Sequence, residues 1–155
     1  MLLSPTISLP ISAMDSRQPS GSSFTGFITV PLQAFILMLG FTASDIDVDM
    51  YDEKGLLLAA SDNLNPVWSQ TLGDPFLRRL ILRFIFCRAA LALYAPTFNK
   101  IEFLPECIPC LPDAVLPTSA ACQRTMLQLA DIFGATSKFN FSKETVLSDD
   151  RSQEN

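Results

Sequence analysis

Hydrophobic and polar positions fall along this chain in blocks rather than in one repeating pattern. Residues 1–23 are rich in Ser, Pro and Thr and carry little periodicity. "MDSRQPSGSS" (14–23) has no apolar run to bury, so 1–23 is expected to be a disordered tail. A secretory leader fits poorly, because no basic stretch precedes an apolar one. From Phe24 to Ala43 the chain reads "FTGFITVPLQAFILMLGFTA", without a single charge. That length suits a hydrocarbon core of about 30 Å. Pro31 and Gln33 interrupt it, so two readings stand: a bilayer span over 24–43, or a buried strand, a turn at Pro31 and a second buried element.

Beyond it the period changes to two. In "IDVDMY" (46–51), Ile46, Val48 and Met50 share one face and Asp47, Asp49 and Tyr51 the other. This predicts a half-buried strand with an acidic outer face. "DEKG" (52–55) supplies turn chemistry and "LLLAA" (56–60) a returning strand, so a β-hairpin is expected. Pro66 holds Asn65 out of the helical region. Trp68, the single tryptophan, is expected to anchor a core or an interface.

The second apolar run, "FLRRLILRFIFCRAALALYA" (76–95), is crossed by Arg78, Arg79, Arg83 and Arg88. At 100° per residue these arginines leave no clean amphipathic face. Each central Arg costs roughly 2.5–3.5 kcal/mol on insertion scales, which argues against a bilayer span here. "LILRFIF" as a strand followed by a helix is the expectation. Five prolines over 105–117 predict irregular structure. In "SAACQRTMLQLADIFG" (119–134), Cys122, Met126, Leu129, Ala130 and Phe133 share a helical face, with Ser119 to cap and Gly134 to terminate. The fold class expected is α+β: a small antiparallel β region at about 27–86 and a C-terminal amphipathic helix at about 119–133. Residues 24–134 form one compact or membrane-associated region, and 135–155 a polar tail.

Charge sharpens the picture. The net charge is −5, yet the acids cluster over 44–66 and the bases over 75–100. A negative chain is a poor ligand for nucleic acid, whose phosphates need Lys and Arg in excess. The basic block suits an anionic surface better, which makes Arg78, Arg79 and Arg83 candidate lipid-surface residues.

There is no histidine, which removes the commonest general base and metal ligand. "CIPC" (107–110) is a C-x-x-C. It lacks the second C-x-x-C of a zinc site and the strand–helix setting of a thioredoxin-like pair. The redox state of Cys107 and Cys110 stays open, and Cys87 and Cys122 read as core residues. Asp45, Asp47, Asp49 and Asp52 could offer oxygens to calcium, but Asp47 and Asp49 sit on a strand pattern rather than a calcium loop. No catalytic residue, metal or cofactor is expected, and the chain does not read as an enzyme.

Residues 27–72, "FITV…ASDIDVDMYDEKG…SDNLNPVWSQTL", resemble the first half of a C2 domain. Ser44-Asp45, the strand Ile46 to Tyr51 and Asn65-Pro66-Val67-Trp68 carry the resemblance. Only Asp45 matches a calcium-ligand position. The resemblance implies a calcium-independent, C2-like interaction module, membrane-associated and intracellular, with a membrane surface or bilayer as its partner and any protein partner unknown. Two alternatives remain: a small integral membrane protein anchored by residues 24–43, or a fragment or spurious product with no evolved role.

Overall fold

The computed structural model describes residues 1–7, 23–40, 70 and 73–146. The expected hairpin over 46–60, the acidic cluster, the Asn-Pro-Val-Trp element and Trp68 lie outside the described residues. The described part is mostly helical with one two-stranded antiparallel sheet, an α+β composition weighted towards helix.

The apolar run after residue 23 forms two short helices, not strands and not a span. Helix α1 is Ser23–Thr29 and helix α2 is Pro31–Met38. The break at Val30 follows from Pro31. It occupies the first turn of α2, where its missing N–H costs nothing, but it cannot continue the turn before it. Gly26 lets the two helices approach, since a Cβ there would sit 3.4 Å from that of Ala34. The eight residues of α2 reach only about 12 Å, well short of a hydrocarbon core. No helix among the described residues is long and apolar enough to cross a membrane. This corrects the reading of 24–43 as an anchor.

Helix α3, Pro75–Leu93, is the central element. Asp74 caps it, accepting from the amides of Phe76 and Leu77 at 2.9 and 3.0 Å, and Pro75 opens it. The stretch "LILRFIF", expected as a strand, is helical throughout. Its aliphatic and aromatic residues are buried on several sides of the helix: Ile81, Leu82, Phe84, Ile85 and Phe86 all sit in the core. A helix apolar nearly all round is one that its neighbours surround.

Two clusters pack along α3. Its first half meets Leu111, Val115, Leu2, Phe24 and Ile28. Its second half meets α2, helix α4 (Ala120–Ile132) and Phe139. Ser119 caps α4 by accepting from the Cys122 amide, and Gly134 follows with φ +61°. Phe35 sits at the centre of the larger cluster. Its ring lies 5.5 Å from Phe86, 5.9 Å from Phe133 and 5.7 Å, stacked, from Phe139.

The chain start is not a disordered tail over its whole length. Strand β1 (Leu2–Leu3) pairs antiparallel with β2 (Glu106–Cys107), Leu2 opposite Cys107. Residues 8–22 lie outside the described residues. Residues 135–146, placed in the polar tail by sequence, pack back on the helices, with Ala135, Phe139 and Thr145 buried.

Candidate interaction surface

Among the described residues, the first turn of α3 lies outside the two apolar clusters that cover the rest of the helix. Its amides are taken by Asp74, while its side chains point outward: Phe76 is 74% exposed and Leu77 40%. From Ile81 onward the helix sinks into the core. Fully burying a Phe or Leu side chain contributes about 1.5–3 kcal/mol. At Phe76 most of that stabilisation is left unrealised among the described residues.

The arginines expected to face lipid do not share one role. Arg79 is exposed and lies one turn on from Phe76, whereas Arg78 is half-buried and points to another side of the helix. Arg83 turns inward, and its Nη1 donates to the carbonyl of Ile28 at 2.9 Å, tying α3 to α1. Arg88 likewise donates to the Pro105 carbonyl at 2.9 Å. Sequence reasoning named the arginines beside Phe76 and Leu77 but missed the apolar pair. The available signal was Asp74-Pro75, a cap followed by a first-turn proline, which fixes where the helix starts and so which residues form its end.

A second exposed feature is an open groove of about 480 Å³ lined by Leu127, Thr136, Ser137, Phe139, Asn140, Phe141 and Val146. Its outer wall is held by Gln123, whose Oε1 accepts from the Ser142 amide at 2.9 Å and the Thr145 hydroxyl at 3.1 Å. No ionisable side chain lines it. It can receive an apolar group but offers nothing to move a proton.

Thiols are the reactive chemistry present. Cys87 and Cys122 lie in the core, and burial pushes the Cys122 thiol up to about 12 and that of Cys87 higher still. Cys107 is half-buried and Cys110 exposed. Among the described residues, no three His, Cys, Asp or Glu side chains are grouped to hold a metal ion.

The sequence model of the family described as Protein SCAI matches residues 1–98. The chain belongs to the SCAI family. It is similar to Protein SCAI of Homo sapiens, 32% identical over 147 residues that cover 89% of this chain and 24% of the human protein. Against Protein SCAI of Mus musculus it is 31% identical over the same length, with the same coverage. The chain thus spans about a quarter of the curated SCAI relatives it matches. No solved structure matches it. SCAI membership overturns the C2-like reading and the lipid-binding, membrane-module role drawn from it. The alternation and the Asn-Pro-Val-Trp element that carried that resemblance are short and generic, whereas the SCAI match runs through nearly two thirds of the chain.

Proposed function

We propose that this chain is a non-catalytic helical docking unit of the SCAI family, and that its occupant is polypeptide. The observation that carries the reading is the exposed Phe76–Leu77 pair at the tip of a helix that enters the core from Ile81 onward. Aromatic side chains on a rigid element, next to arginine, have the composition of interface anchors. The amphipathic character of residues 119–133 supports the same role, since α4 spends its apolar face on the core and so stiffens the platform behind α3. The SCAI relatives are about four times as long as the matched segment. We therefore take the partner surface to be the part of a SCAI protein that this chain does not span. The absence of histidine supports the non-catalytic reading.

The test is co-purification. The chain is expressed with the portion of human Protein SCAI outside the matched segment, carried on a separate tagged polypeptide. The two should elute together, and Phe76→Asp should weaken the complex at least about tenfold, as expected for an anchor residue. Separate elution, or a complex indifferent to Phe76→Asp, overturns the proposal. So does concentration-dependent self-association through Phe76, which would make a second copy the occupant.

A further inference from the structure

The C-x-x-C at 107–110 has no part in the docking reading, and its geometry is specific. Cys107 ends β2, opposite Leu2. Its Sγ donates to the Pro109 carbonyl at 3.3 Å, and Cys110 stands near enough to help raise its pKa. The Cys107 sulfur therefore folds back onto the peptide group that leads into Cys110. Next to the paired strands, the turn is tied to Met1, whose ammonium donates to the Ile108 carbonyl at 2.7 Å while the Ile108 amide donates to the Met1 carbonyl at 2.9 Å. Cys110 is exposed and Cys107 half-buried, so one sulfur is open to reagents and the other is sheltered beside it.

We infer that Cys107 and Cys110 form a reversible disulfide, a redox modification site in which Cys110 reacts first with a low-molecular-weight disulfide and Cys107 resolves the adduct. With glutathione disulfide as oxidant the steps balance. The Cys110 thiolate attacks one glutathione sulfur, a Cys110–glutathione bond forms, and one glutathione thiolate leaves. The Cys107 thiolate then attacks the Cys110 sulfur, the intramolecular bond forms, and the second glutathione leaves. Two electrons pass to glutathione, and two protons go with them through solvent.

The surroundings suit this order. Burial pushes the Cys107 thiol up, and the Arg88 guanidinium and the Met1 ammonium work against that rise. A sheltered thiol is a poor first nucleophile towards a bulky disulfide but needs no access to attack its own neighbour. Cys87 and Cys122 stay outside the chemistry because they are buried in the core.

The experiment uses the full chain, equilibrated without oxygen in glutathione buffers of rising oxidised fraction, acid-quenched, alkylated in denaturant and weighed intact. The wild type should lose two alkylation sites together, with a peptide map joining Cys107 to Cys110. Cys107→Ser should accumulate a glutathione adduct on Cys110 about tenfold above wild type, and Cys110→Ser should form neither product. Four alkylatable thiols at every buffer ratio overturn the inference, as does a disulfide that involves Cys87 or Cys122. An adduct in Cys107→Ser that lands on Cys87 or Cys122 rather than on Cys110 overturns it too. None of these outcomes depends on whether Phe76 docks a partner.

Discussion

Arg83 Nη1 donates to the carbonyl of Ile28 at 2.9 Å, joining helices whose contacting residues stand 55 positions apart. Ile28 lies in the last turn of α1, where helix carbonyls lack an intrahelical donor. Hydrogen bonds that involve a charged donor contribute about 1.5–3 kcal/mol. Arg83→Ala is therefore expected to lower unfolding free energy by about that amount in denaturant titration. Arg79→Ala, at an exposed position on the same helix, should stay within about 0.5 kcal/mol of wild type. Equal effects at the two positions would remove Arg83 from its structural role.

Asp74 supplies both bonds that close the start of α3. Asp74→Ala should cost about 1 kcal/mol, while Asp74→Asn keeps an acceptor oxygen and most of the stability. Thermal denaturation followed by far-ultraviolet dichroism separates the two. A similar loss in both variants would mean the carboxylate acts through charge on the helix end rather than as a cap.

Phe35 is fully buried and touches three aromatic rings drawn from α3, the end of α4 and the segment after it. Phe35→Ala should cost about 3–5 kcal/mol, among the largest single losses the chain can show. Phe76→Ala should change stability little, since its ring is mostly in water. The pair of measurements distinguishes a core ring from a docking ring in one chain.

The buried thiols give stability a pH dependence. The folded pKa values of Cys87 and Cys122 are raised above the ordinary value of 9.0 by burial, that of Cys122 to about 12. Above about pH 9 the unfolded chain releases these protons while the folded chain retains them. The stability is thus fully present below about pH 9 and is lost as pH rises towards about 12, at up to about 1.4 kcal/mol per pH unit for each thiol. Denaturant midpoints taken at about pH 7, 9 and 10.5 should fall across the last interval. Cys122→Ala should flatten that fall, and an unchanged slope would show that the thiol ionises freely in the folded state.

The Gln123 side chain holds residues 142–146 against α4. Gln123→Ala should release them, and trypsin should then cut after Lys143 several-fold faster with little change in global stability. Cleavage at the wild-type rate would mean that Phe139 and Phe141 alone seat this segment.

Some of this architecture was legible from local signals and some could not be. The end chemistry at Asp74-Pro75 and at Pro31 is written in the sequence, and reading Pro31 as a helix start rather than a turn would have turned "FITV" and "LQAFILM" into helices. "LILRFIF" misled because its β-branched and aromatic residues report burial, not strand. An apolar segment surrounded by neighbours has no periodicity to betray its helix. The pairing of Leu2 with Cys107 and the bond from Arg83 to Ile28 depend on chain segments meeting across long separations, which no local pattern encodes. The candidate surface escaped for a related reason. Phe76 and Leu77 differ from their apolar neighbours in what fails to cover them, and coverage is a property of the fold.

The carbonyl end of α2 is finished by side chains from much later in the chain. Tyr94 donates its hydroxyl to the Met38 carbonyl at 3.1 Å, and Lys138 Nζ donates to that of Leu39 at 2.6 Å across 99 residues. During synthesis at about 5–20 residues per second, roughly 5–20 s pass between the appearance of Leu39 and that of Lys138. Until that lysine is made, the carbonyl end of α2 lacks its closing donor and Phe35 lacks the Phe139 ring it stacks on, so the seating of α2 waits on the last third of the chain.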